Sequence, residues 1–286
     1  MKKLLFSITA CLSLMLLTGG CFAFINTTPL SKNNEYKNPE LAGAWYTESK
    51  DGTSVIYIED KGDHYIFHSL SSLSKIRITT SKITAVDKKS EMDFISADIS
   101  FIKPEKVHPG ISLYFIAGFK ISDGKLSLLN FSASDKREKE ALNALPSLGK
   151  TKLFQADQAA LKKFASENMN YFKDDRFCFT KCEFKDQEAL RTFMILTECA
   201  NICSYHLTQF SEKMSEQEEQ RLNQEFIKNM KAWLNKNKQY LPPSLQKEAE
   251  VFCRVLETSE NLAHKREITD FLAKANAIVF DELIKH

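Results

Sequence analysis

ISLYFIAGFKISDGKLSLLNFSA, residues 111–133, decides the fold class. Two runs rich in Ile, Leu and Phe flank Asp123-Gly124, a dipeptide that suits a tight hairpin because both positions tolerate positive φ. Working back toward the N-terminus, the same pattern recurs in MDFISADISFI (92–102), KIRITTSKITAV (75–86), HYIFHSL (64–70), TSVIYIE (53–59) and AWYTE (44–48). Several of these alternate apolar with polar residues, which is the two-residue period of a strand. Asp51-Gly52, Lys61-Gly62-Asp63, Asp87-Lys88-Lys89 and Pro109-Gly110 separate them as turns. Roughly seven or eight antiparallel strands within residues 39–155 predict a small barrel or sandwich.

From residue 156 onward the alternation gives way to helical spacing. Leu190, Phe193, Met194, Leu196 or Thr197, Ala200 and Leu207 line one face of a segment from Asp186 to Met214. Leu222, Phe226, Ile227, Met230, Trp233 and Leu234 do the same between Gln217 and Asn237, with Ser215 as N-cap and Glu218 as its capping-box partner. Pro242-Pro243-Ser244 starts another helix, and a last one runs from Arg266 to Ile284. Short connections predict antiparallel packing of these helices. The expected class is α+β, an N-terminal antiparallel β-barrel or sandwich (39–155) followed by an all-α helical bundle (156–286).

Gly43-Ala44-Trp45-Tyr46 opens the first strand and resembles the Gly-x-Trp of lipocalin-like barrels. The resemblance implies a structural role for Trp45, packed at one end of the barrel.

The N-terminus carries its own message. Lys2 and Lys3 precede an uncharged apolar stretch from Leu4 to Leu17, the layout of a secretory signal over residues 1–20. As a helix the stretch covers roughly 20 Å, against about 30 Å of bilayer hydrocarbon, so it is too short to span. Leu17-Thr18-Gly19-Gly20-Cys21 resembles the lipobox of bacterial lipoproteins, with Thr18 where the family usually has Leu. The resemblance implies acylation of Cys21 (a palmitate-type modification) and a membrane held through the N-terminal lipid. Phe22, where inner-membrane lipoproteins carry Asp, implies the outer membrane, facing the periplasm. Residues 21–38, with paired Asn and little periodicity, read as a flexible lipidated tether.

The formal charge is +2 and falls to zero without Lys2 and Lys3, so no global field favours nucleic acid. The abundance of Phe, at 21 copies, suits packed cores rather than a disordered chain.

Seven cysteines are present, and reserving Cys21 for lipid leaves five beyond the leader. Cys178 with Cys182 and Cys199 with Cys203 form two Cys-x-x-x-Cys pairs, which resemble the twin-cysteine helical hairpins of the mitochondrial small chaperones. An antiparallel pairing on that pattern joins Cys178 to Cys203 and Cys182 to Cys199. Continuous helical character near Leu190-Arg191 leaves a second arrangement open, in which a loop at 177–184 folds onto a helix carrying Cys199 and Cys203 one turn apart. Four cysteines allow three connectivities, and Cys253 can displace any of them. A tetrathiolate zinc site or a redox pair fits the spacing less well than a disulfide framework.

No Gly-x-Ser-x-Gly, phosphate loop or His-Glu-x-x-His motif stands in the sequence, and no cofactor or metal site is expected. His64 and His68 on one strand stand roughly 13 Å apart, too far for one ion. Asp174-Asp175 and the acidic run from Glu216 to Glu219 read as helix starts. The expected function is an envelope lipoprotein acting as a non-enzymatic ligand-binding or protein-interaction module. Its partner is an apolar small molecule if the barrel is hollow, or an envelope protein if it is filled. A periplasmic enzyme with a site assembled from dispersed residues, and a chaperone using the helical region, are the alternatives.

Overall fold

The computed structural model describes residues 24–49, 52–71, 75–99, 112–131, 136–143, 145–146, 153–210, 214–259 and 263–285. Eight antiparallel strands close into a barrel: β2 (Gly43–Ser49), β3 (Gly52–Asp60), β4 (Tyr65–Ser69), β5 (Lys75–Thr84), β6 (Glu91–Asp98), β7 (Tyr114–Ser122), β8 (Lys125–Phe131) and β10 (Phe172–Cys182). The order is β6-β5-β4-β3-β2-β10-β8-β7, and pairing of β6 with β7 closes the ring. Two short strands extend the sheet: β1 (Ile25–Asn26) adds to β7, and β9 (Leu153–Phe154) adds to β1. The β7–β8 hairpin turns where expected, with Asp123 at φ 52° and Gly124 at φ 69°. That pair of positive φ values matches the twist of the flanking strands.

The eighth stave lies beyond the expected β-region. Asp174-Asp175 do not start a helix; they lie within β10, where Cys178 pairs with Ser127 and Phe179 with Leu126 of β8. The short alternation around Phe179 is a strand signal that the neighbouring acidic pair obscures.

The chain divides into two compact units. The first holds the chain up to Ala42, Ile58–Ile66 and Ile76–Lys181. Its register sorts the wall side chains of β5 to β8 into two faces. One face carries Ile83, Phe94, Ile116 and Phe131, which share a core with Leu142 of helix α1 (Lys136–Asn143) and with Leu161 and Phe164 of helix α2 (Gln158–Glu167). The Phe131 and Phe164 rings stand 5.4 Å apart. An eight-stranded barrel has room inside for side chains but not for a helix, so this face is the outer one. The opposite face carries Ile78, Thr80, Ile95, Ala97, Phe115, Ala117, Phe119 and Leu126, none more than 6 % exposed. A cavity able to hold water would leave its lining accessible, so this part of the inner wall is filled by its own side chains.

Residues 24–38, expected to be a flexible tether, are folded. Phe24 is 2 % exposed and Leu30 1 %. Ile25 pairs with Phe115 and with Leu153. The Asn26 amide donates to the Ala156 carbonyl (2.9 Å) and accepts from the Ala156 N–H (3.0 Å). Thr79 Oγ1 donates to the Ser31 carbonyl (2.8 Å), and the Glu35 N–H donates to the Thr80 carbonyl (3.0 Å). The polar residues that read as a solvated linker spend their hydrogen bonds on the barrel instead.

The second unit holds Gly43–Tyr57, Phe67–Lys75 and Cys182–His286. Its helices are α3 (Gln187–Gln209), α4 (Glu216–Asn237), α5 (Pro243–Thr258) and α6 (Lys265–Leu283). Asp186 caps α3 by accepting from the Ala189 N–H, and Ser215 with Glu218 forms the expected capping box on α4. α5 begins at Pro243, where the missing N–H costs nothing. Helix α3 packs on α4 and α6, α4 on α5, and α5 on α6. Phe193, Leu196, Met230, Trp233, Phe252, Phe271 and Val279 fill their core, together with Val55 and Leu70.

Candidate functional site

The chemistry-bearing residues of the second unit gather in its helical core. Cys199 and Cys203 stand one turn apart on α3, both fully buried, and Cys253 on α5 is 7 % exposed. The Cys199 thiol is close enough to hydrogen-bond with Cys203 and lies 4.0 Å from Met230 Sδ. Burial holds Cys199 well above the usual thiol range, with Cys203 and Cys253 adding to the effect. Burial likewise pushes Cys253 up to about 11. Nucleophilic and metal-binding chemistry needs thiolate, so these side chains act as small apolar packing groups.

All five cysteines among the described residues are free thiols, and this corrects the expected disulfides Cys178–Cys203 and Cys182–Cys199. The helix carrying Cys199 and Cys203 one turn apart is present, but the other pair lies on neither a helix nor a loop. Cys178 belongs to β10, exposed, with its Sγ 3.0 Å from Ser127 Oγ. Cys182, at the end of that strand, is half-buried. A stave whose backbone is committed to β8 cannot fold back as the second arm of a helical hairpin. Among the described residues no three His, Cys, Asp or Glu side chains are arranged to hold a metal ion.

A second cluster joins the end of α3, the middle of α4 and the start of α6. The His206 ring stacks on Phe226 at 4.0 Å and 9°, and His264 lies 6.0 Å from both rings. His264 is fully buried, takes φ 49° just before α6, and places Nε2 against Asn223 Oδ1. An oxygen acceptor on Nε2 leaves Nδ1 as a bare lone pair. Ser259 donates to Glu267 Oε1 (2.8 Å). His264 Nδ1 and Glu267 Oε2 are buried without a hydrogen-bond partner among the described residues. Burial lowers the His264 pKa below its ordinary value, while the Glu267 charge opposes the shift. The arrangement is an imidazole kept neutral by its burial, packed beside the half-buried Glu267 side chain.

The remaining sequence candidates fall elsewhere. Cys21 lies outside the described residues. Trp45 is fully buried on β2, and Gly43 before it takes φ 118°, a conformation that disfavours any Cβ. His64 pairs with Asp63 (2.6 Å) ahead of β4. His68 is buried, its ring 6.2 Å from Tyr57. The shallow groove between α4 and α5 is lined by Lys231, Asn235, Glu250, Arg254 and Glu257 together with Leu234 and Cys253. The His206–His264–Glu267 cluster had no motif to announce it; the one available signal was a His immediately before an apolar helical stripe. No known protein family, curated protein or solved structure matches the chain.

Proposed function

We propose that the protein is a lipoprotein of the bacterial cell envelope, acylated at Cys21 and working as a non-enzymatic protein-interaction module. The leader from Lys2 to Gly20 and the lipobox resemblance support export and acylation. Phe22 favours the outer membrane, with the body facing the periplasm. The observation that carries the choice of module is the inner barrel wall. The low exposure of Ile78, Thr80, Ile95, Ala97, Phe115, Ala117, Phe119 and Leu126 supports an interior packed with side chains on this side of the barrel, which favours recognition at the surface over a carried apolar molecule.

Native mass spectrometry of protein purified from its host tests this. The expected species is the acylated polypeptide alone. A stoichiometric apolar small molecule, released on unfolding, would return the function to ligand carriage.

A further inference from the structure

Phe24, the first of the described residues, stands very close in sequence to the residue proposed to carry lipid. From Cys21 to Phe24 the chain has three peptide steps, at most about 11 Å when fully extended. Phe24 is fixed: its carbonyl accepts from the Ile116 N–H (2.9 Å), and its ring packs 5.2 Å from Phe154 and 5.3 Å from Phe164. An anchor this short gives the folded body no stand-off from a bilayer.

Helix α1 belongs to the same packed core. Leu142 shares a cluster with Phe24 and Phe172, whose rings lie 6.3 Å apart, and the next residue, Lys173, reaches Glu138 Oε1 at 2.8 Å. Glu138 is fully buried, whereas the Lys173 side chain is 57 % exposed. On the exposed side of α1, Lys136 offsets Glu140 at 3.7 Å. Arg137 and Lys139 are exposed and make no ion pair among the described residues. The outward charge of α1 is therefore positive, although the formal charge without Lys2 and Lys3 is zero.

We infer that the face carrying α1 lies on the membrane surface, with Arg137 and Lys139 against anionic lipid headgroups. The inference rests on acylation of Cys21, which supplies the proximity. The attraction of basic side chains to anionic headgroups decays over about a Debye length, roughly 8 Å at physiological salt, and a three-residue anchor of at most about 11 Å keeps the body within a distance of that order. The lipid then sets position as well as location, turning one face of the first unit toward the bilayer.

The test uses the full acylated protein in vesicles of phosphatidylcholine alone or mixed with phosphatidylglycerol, and reads amide hydrogen exchange across residues 136–143. Exchange is expected to slow several-fold on the mixed vesicles. Raised salt, Arg137→Glu with Lys139→Glu, or a flexible insert of about ten Gly and Ser residues between Cys21 and Phe24 is expected to remove most of that protection. Both charge changes sit at exposed positions, and the insert leaves every described residue unchanged. Equal exchange on the two vesicle types, in protein that carries the acyl group, overturns the inference and leaves the anchor standing. Protein with no acyl group at Cys21 overturns the anchor itself, and the inference with it.

Discussion

The Asn276 side chain, on α6, accepts from the Val55 N–H (3.3 Å) through Oδ1 and donates to the Leu70 carbonyl (2.9 Å) through Nδ2. One buried amide thereby joins two β-segments of the second unit to its last helix. Its other donor contact is to the Leu272 carbonyl (3.1 Å), one turn back. Replacing Asn276 with Leu keeps the branched shape and removes all three bonds, leaving a buried donor and acceptor unsatisfied. The expected loss is about 1–3 kcal/mol for each orphaned group, measured as a fall in the urea midpoint.

Phe24 is as firmly placed in the first unit. Four aromatic rings, those of Phe131, Phe154, Phe164 and Phe172, lie within 6.3 Å of it. Phe24→Ala is expected to destabilise the protein by about 3–5 kcal/mol in chemical denaturation. A tether residue would show almost no change.

The buried imidazole makes stability depend on acid. The His264 pKa lies below its ordinary value of 6.5 in the folded state, so the unfolded chain binds the proton first. Stability is complete above 6.5 and is lost as pH falls from there through the folded value. His264→Gln retains a side chain able to donate to Asn223 and removes the titration. Urea midpoints measured between neutral pH and about pH 5 should fall less steeply for this variant than for the parent.

The thiols sort by exposure. Cys178 is exposed, and Cys199 and Cys203 are fully buried. Under native conditions iodoacetamide is expected to modify Cys178 rapidly, while Cys199 and Cys203 react only after denaturation. Peptide mass mapping before and after adding denaturant reads the difference. Rapid native labelling of Cys199 would show that the α3 core opens.

Much of this was legible in the sequence. The period-two runs located β2 to β8, the Asp123-Gly124 hairpin turned as its residues require, and the Ser215–Glu218 box started α4. The misses share a cause. Closure of the barrel depends on β10, a stave that follows two helices and whose partner strands, β2 and β8, are remote in sequence. Phe24 and Leu30 are single apolar residues among polar ones, too sparse to generate a period, yet tertiary packing buries both. The cysteine spacing could be read as a hairpin because spacing carries no information on whether an intervening segment is helix or strand. The His206–His264–Glu267 cluster joins three helices, so only their packing assembles it.

The central claim is that acyl chains on Cys21, three residues before Phe24, hold the protein to a membrane. Metabolic labelling with a clickable fatty acid in the native host, on wild type and Cys21→Ser, tests it most directly. The account predicts labelled protein in the membrane fraction for wild type and loss of label in the variant. Equal labelling of the two, or none in either, would contradict it.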